Sequence, residues 1–372
     1  MFLALRDIRF AKGRFAMMGG VVALITLLLV MLTGLTAGLA EQSTSAIGQL
    51  GAAAARPVDL VAFGAPGSGT PKASYTESSV TAAQVDSWRN RPGVRSAEPL
   101  GITQTQLQTG DGSGTANVAV FGVPAGSPLA PVDVAAGTAV LGSSVAESLA
   151  VSQGSTVSVG GVDLSVAAVV PDQWYSHTSV VWTALPAWSQ VAHVSDAGQL
   201  ATVVAVTFTD GADGNGTGVD QAAADAAAHT VSESRTGSFQ ALGSFKSENG
   251  SLTLMQGFLY GIAALVIVAF LTVWTIQRTR DIAVLKALGA PGSYVLRDAI
   301  AQAAVVLVAG AAAGGIVGVA AGGFAAQAAP FQLTVGTTVL PAVGIVALGL
   351  AGAALAVRRA ARVDPLLALG GN

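Results

Sequence analysis

The sequence predicts an α-helical membrane domain of four transmembrane helices, with an α+β extracellular domain inserted between helices 1 and 2. Three observations carry this expectation. Of 372 residues, 52% are hydrophobic and only 10% charged, against about 25% charged in a typical soluble protein. The charges leave three long runs empty: Phe15–Ala40, Asn249–Gln277 and Ala299–Val357. Between the first two runs the texture changes to alternating strand-like and helix-like stretches.

The elements follow in order. Residues 1–14 carry Arg6, Arg9, Lys12 and Arg14 and lead into the first span, 15–40. Gly38-Leu39-Ala40 resembles a signal cleavage site, but a signal h-region is about 7–15 residues long and this run is much longer, so it reads as an anchor. The second span is 249–277. The third uncharged run holds two crossings at about 20 residues each. It breaks at Gln327-Ala328-Ala329-Pro330-Phe331-Gln332, giving a third span at 298–326, a short extracellular loop at 327–337 and a fourth span at 338–357. Basic residues orient the chain. Those before the first span, Arg278, Arg280, Lys286 and Arg297 in segment 278–297, and Arg358, Arg359 and Arg362 in the tail 358–372 all fall on one side, the cytoplasm. Segment 41–248, with 17 acidic against 7 basic residues, falls outside.

Within 41–248, two β-rich runs flank Gly160-Gly161 in "STVSVGGVDLSVAAVV", a hairpin signal. "TANVAVFGV" and "ATVVAVTF" read as strands, "TAAQVDSWRN" and "GVDQAAADAAAHTV" as helices, and Gly64–Lys72 and Gly211–Gly218 as loops. This segment offers no catalytic pattern. Its histidines, His177, His193 and His229, form no H-x-x-x-H, no G-x-S-x-G is present, and without cysteine there is neither a thiol nucleophile nor a thiolate metal site. The chain therefore reads as non-catalytic, with no metal or cofactor expected on it.

The membrane spans are informative in two ways. Apart from Asp298 at the first position of the third span, no Asp, Glu, Lys, Arg or His lies inside them, whereas ion-coupled transporters need such groups at depth. The phosphate-binding loop ending in Gly-Lys-Ser/Thr is also missing, so ATP and magnesium are expected on a separate ATPase. In the third span Gly310, Gly314, Gly318 and Gly322 recur every four residues, a bare groove of the kind that lets helices approach closely. Gly344, Gly349 and Gly352 make the fourth span its expected partner, and Ala311 and Val319 are expected on more tolerant faces.

"RTRDIAVLKALGAP", Arg278 to Pro291, sits between two spans. Ile282, Leu285 and Leu288 form an apolar stripe, and Gly289 followed by Pro291 stops a short helix. Such a helix suits docking on a cytoplasmic partner, and equally suits an ordinary helix end with inward-facing positive charges. Resemblance separates the two readings. Arg278, Arg280, Asp281, Lys286, Ala287, Leu288 and Gly289 lie in a segment that resembles the one after the second helix in FtsX-like permeases of the MacB type, with Asp281 where Glu is commoner. "LRDIRFAKGRF" resembles that family's amphipathic helix before helix 1, and "RRAARVDPLLAL" its C-terminal ending. The resemblance implies an ABC exporter working by mechanotransmission: a homodimer of permeases with two ABC ATPase subunits on the cytoplasmic side, coupled through Arg278, Arg280, Asp281, Ile282, Leu285, Lys286, Leu288 and Gly289.

Within the family, the N-terminus and the compact external domain look most like Gram-positive heme-exporter permeases. Heme is flat, amphipathic and membrane-soluble, and its iron accepts His, Met or Tyr. Met31, in the outer part of helix 1, and Glu248, Met255, Phe258 and Tyr260, at the outer end of helix 2, are the residues expected to contact such a substrate. Antimicrobial peptide, macrolide or lipid are the other amphipathic cargoes, and an FtsX-like transmitter that transports nothing is the other class.

Overall fold

Four long helices carry the apolar runs. The computed structural model describes residues 12–209, 219–277 and 291–360. In it α1 (Lys12–Gly48), α6 (Gly243–Gln277), α7 (Gly292–Ala325) and α8 (Val335–Ala360) are each long and apolar enough to cross a membrane. All four outlast the expected spans: α1 continues eight residues past Ala40, α6 begins before Asn249, α7 begins inside the expected cytoplasmic loop, and α8 passes both ends of 338–357. Loss of hydrophobicity ends a span, not a helix, and Glu41, Gln42 and Ala46 remain compatible with helix. The chain forms two units, Met1–Leu39 with Gly250–Asn372, and Ala40–Asn249.

In the membrane unit, Met18, Val22, Ile25 and Leu29 form a buried stripe on α1 at helical spacing. They share a core with Ala263, Ile267 and Leu271 of α6, with Ala303, Leu307 and Ala311 of α7, and with Ile345 of α8. Phe15 meets Trp274 edge-on at 6.1 Å between ring centroids. Gln256 on α6 donates to Thr36 Oγ1 on α1 at 2.9 Å.

The glycine ladder of α7 faces α1, not α8. A Cβ at Gly310 would lie 2.7 Å from the Gly19 carbonyl oxygen, one at Gly314 would overlap the Ala23 carbonyl, and one at Gly318 would press on Val30 at 3.0 Å. The expected pairing with the glycines of α8 fails for a simple reason. Those glycines receive large side chains: Gly344 lies under the Tyr260 ring, Gly349 under Leu307 and Gly352 under Val268. Backbone-to-backbone approach needs small residues on both helices, and α1 supplies Gly19 and Ala23. Gly322 meets no helix; the Phe331 ring of the α7–α8 connection fills that place and also the notch at Gly34 on α1. Gln332 N–H closes the connection onto the Gly34 carbonyl at 3.0 Å. Ala311, expected on a tolerant face, is 2% exposed and belongs to the core.

The second unit is the α+β domain. Its strands are β1 (Leu60–Phe63), β2 (Val94–Thr109), β3 (Thr115–Val123), β4 (Thr138–Gly142), β5 (Thr156–Val159), β6 (Val162–Val170), β7 (Trp174–Tyr175), β8 (Thr178–Ala184), β9 (Val203–Phe208) and β10 (Val231–Ser234). Its helices are α2 (Ala82–Arg89), α3 (Ser143–Ser148), α4 (Leu185–Val191) and α5 (Gln221–Ala228). Antiparallel pairing in the order β10-β1-β9-β2 makes two interleaved split β-α-β units, with α2 and α5 as the crossovers. The sixteen-residue β2 then leaves β9 after Leu100 and joins a ring β2-β3-β8-β4-β6-β5 that closes back on β2 at Leu107–Thr109.

Local chemistry explains several of these elements. Thr81 and Gln84 form a capping box that starts α2. Gly160 and Gly161 both have positive φ, as the β5–β6 turn requires. Gly101 on β2 and Gly122 on β3 leave room for Trp188 of α4, with which a Cβ at either position would collide.

If the α1–α7 approach holds the membrane unit together, Gly314→Leu must force two backbones apart. Overpacking costs about 1–3 kcal/mol and more where backbone is the obstacle, so the thermal midpoint of the purified protein should drop by several degrees. Gly315→Leu, with nothing within 4 Å of its Cβ, should leave the midpoint almost unchanged. Equal behaviour of the two variants would refute this packing.

Candidate functional site

The β7–β8 hairpin turns on Ser176 and His177, whose φ values of 48° and 64° are those of a two-residue type I′ turn. That turn normally favours Asn and Gly, so holding Ser-His there costs backbone energy that its surroundings must offset. Four hydrogen bonds surround it. Ser176 N–H donates to the Ser43 carbonyl and His177 N–H to the Gln42 carbonyl, both at 3.0 Å. The Ser176 and Ser244 hydroxyls meet at 2.9 Å, and Trp174 N–H donates to Ser45 Oγ at 2.9 Å. The hairpin therefore grips the last turns of α1 and the first turn of α6.

At the centre, His177 Nε2 lies 2.9 and 3.1 Å from the two oxygens of Glu248 and 3.1 Å from Ser43 Oγ. Serine, histidine and carboxylate are the residue types of a hydrolase triad, but the geometry is wrong for one. A relay needs the carboxylate on one ring nitrogen and the hydroxyl on the other. Here both partners share Nε2, so the carboxylate cannot orient the ring for proton abstraction from serine. The cluster is a polar clamp. Its side chains are 31% exposed at His177 and 42% at Glu248, so it is reached by water. Arg235 adds a further tie, donating to the Gly48 carbonyl at the end of α1 at 2.9 Å.

The structure separates the residues expected to contact substrate. Met31 is half-buried on α1. Met255 and Phe258 are more than half exposed and share one face of α6 with Leu254, Ile262 and Leu265. Tyr260 does not join them; it points to the opposite side of α6 and covers Gly344 of α8. Glu248 belongs to the inserted unit, and its carboxylate is engaged by His177. The coupling residues Arg278, Arg280, Asp281, Ile282, Leu285, Lys286, Leu288 and Gly289 lie outside the described residues. Sequence reasoning missed His177 because a lone histidine carries no pattern; the available signal was "WYSHTS", a polar pair between two short β-runs.

Four apolar helices and one inserted α+β domain fit a multi-pass membrane protein. The MacB-like periplasmic core domain family matches residues 15–226 and the FtsX-like permease C-terminal family matches 240–365. The chain belongs to this MacB/FtsX family and is an ABC transporter permease. An uncharacterised ABC transporter permease of Mycobacterium tuberculosis is 26% identical over 375 residues, covering 100% of this chain and 99% of the relative. HrtB of Staphylococcus epidermidis, a permease protein named for a hemin transport system, is 30% identical over 131 residues; that match covers 35% of this chain and 37% of the relative's length. Among solved structures, the periplasmic region of MacB from Actinobacillus actinomycetemcomitans matches 48% of this chain and 88% of its own at 15% identity and a TM-score of 0.33. The extracellular domain of YknZ from Gram-positive bacteria matches 48% and 98%, at 15% identity and a TM-score of 0.35.

The clamp makes a measurable claim. In a double-mutant cycle on Glu248→Ala and His177→Asn, the latter retaining a side chain that tolerates left-handed backbone, the two should couple by roughly 0.5–1 kcal/mol, the range for a partly exposed pair. Additive effects on thermal unfolding would show that the contact does not hold the hairpin.

Proposed function

We propose that this permease is the membrane subunit of an ATP-driven exporter that takes an amphipathic substrate, heme foremost, from the membrane or its outer leaflet. It works as a homodimer with two ABC ATPase subunits bound on the cytoplasmic side, with the inserted domain outside the cell and both termini inside. The observation that carries the reading is membership of the ABC permease family, matched at both the inserted core domain and the C-terminal helices. Three further observations support it. Basic residues collect in 1–14, 278–297 and 358–372. Among the described residues, an exposed apolar face of α6 carries Met255 and Phe258. The HrtB relatives are named for hemin transport. The stripe Ile282, Leu285, Leu288 is the proposed docking face for the ATPase, with ATP and magnesium bound there and not here.

A second reading is favoured by the clamp. Hydrogen bonds from the β7–β8 hairpin hold the ends of α1 and α6, which suits a device that passes helix movement to an external domain. An FtsX-like transmitter uses that movement to signal and transports nothing.

The two readings part on substrate response. Complex of permease and ATPase in lipid nanodiscs should hydrolyse ATP faster with heme present, and heme absorbance should shift on titration of the permease alone. Met31→Ala and Met255→Ala should weaken that shift. Stimulation by a macrolide, cationic peptide or lipid in place of heme moves the cargo within the amphipathic class, whereas indifference to all four favours the transmitter.

Coupling is tested separately. Leu285→Asp would place an unpaired charge in the proposed ATPase interface, at a cost of several kcal/mol. Co-purification of the ATPase should collapse while membrane insertion persists; undiminished complex would remove this stripe from the interface.

A further inference from the structure

The gap that β2 leaves between its two sheets is not filled. β2 pairs with β9 up to Leu100 and with β5 from Leu107. Beside the intervening residues lies a cavity of about 370 Å³, within the range of small-molecule sites. Ile102, Thr103 and Gln104 of β2 form one wall, Tyr175 and Trp188 the back, and His193 and Gln199 part of the rim. Tyr175 is 4% and Trp188 1% exposed, while Gln104 and His193 are open to solvent.

Two polar groups of the back wall have no partner among the described residues. The Trp188 indole N–H is buried without a hydrogen bond, although the two other fully buried tryptophans donate, Trp88 to Thr230 and Trp182 to Gln173. The Tyr175 ring is held edge-on between Tyr75 and Phe121 at 5.9 and 5.4 Å, and its hydroxyl likewise makes no hydrogen bond. Burial raises its pKa well above the ordinary tyrosine value, so the hydroxyl stays neutral. Buried polar groups are almost always satisfied, so the Trp188 N–H, the one fully buried side-chain donor left unpaired among the described residues, points to a water or ligand.

From this lining we infer that the inserted domain carries a binding site for a neutral, hydroxyl-rich ring, a saccharide unit. The described walls contain no Lys, Arg, Asp or Glu, so an anionic heme or a cationic peptide would enter without a counter-charge, at a large desolvation cost. What the walls do offer is hydroxyl, amide and imidazole groups, from Thr103, Gln104, His193 and Gln199, that both donate and accept, the pattern a sugar's hydroxyls match. An extended peptide is disfavoured by the backbone. Ile102 N–H is taken by Thr202 Oγ1 at 2.8 Å and the Gln106 carbonyl by Gly160 N–H at 3.1 Å. That leaves too short an edge for a strand to add.

The test is calorimetric titration of the purified full-length permease in detergent with cellobiose, trehalose and chitobiose, alongside a neutral tripeptide and heme. At least one disaccharide should bind saturably. Tyr175→Phe should weaken it about tenfold, the effect of losing one good hydrogen bond to a buried group, without lowering the thermal midpoint of the unliganded protein, since removing an unpartnered hydroxyl costs nothing structurally. Gln199→Ala at the rim should also weaken binding. The inference is overturned if no disaccharide binds, if both variants bind like the parent, or if the tripeptide or heme titrates this site instead.

Discussion

The distance between the backbones of α1 and α7 is the constraint on which the membrane unit depends. In lipid, helices gain no hydrophobic reward for association, so they must earn contact through van der Waals fit. Gly310, Gly314 and Gly318 let the α7 backbone settle on the stretch from Gly19 to Val30. With that distance set, the buried stripe Met18, Val22, Ile25 and Leu29 has a partner surface, and Leu307 is placed to fill the Gly349 notch of α8. Close approach also gives Phe331 its socket, because its ring needs both Gly34 on α1 and Gly322 on α7.

The inserted domain solves a different problem. It must hold two helix ends that are not themselves paired by regular structure. It does so with a strained two-residue turn whose backbone donors aim at Gln42 and Ser43, and with a histidine that reads Glu248 and Ser43 through one nitrogen. The same atoms that exclude a hydrolase therefore explain why this turn tolerates His in a left-handed backbone.

Much of this was legible in the sequence for reasons that can be named. The uncharged runs located all four membrane helices, since a bilayer forbids charge over a length that a soluble helix does not. The Gly160-Gly161 hairpin and the strand Thr115–Val123 followed from turn chemistry and β-branched content. Other features depend on partners distant in sequence. The glycine ladder announced close packing but not with whom, because Gly344, Gly349 and Gly352 look equally bare until Tyr260, Leu307 and Val268 are seen to occupy them. Tyr260 is two residues past Phe258, which on a helix sends it to another face, yet sequence proximity placed them together. The cavity beside β2 was invisible, since it arises where one strand changes sheets.

That change of sheets sets the order in which the domain can be completed. β1 emerges early in synthesis, but both its edges are satisfied only by β9 and β10, more than a hundred residues later in the chain. The ring cannot close before β5 returns to β2, and β2 belongs to both sheets, so neither sheet is complete without it. Long-range pairings of this kind fold slowly and as a unit. α1 is therefore made and threaded well before the domain it enters is whole, and the nascent chain carries open strand edges until Ser234 has appeared. A domain built this way is a natural client for chaperones at the membrane surface, and truncations within it should yield aggregation-prone chains instead of smaller folded pieces.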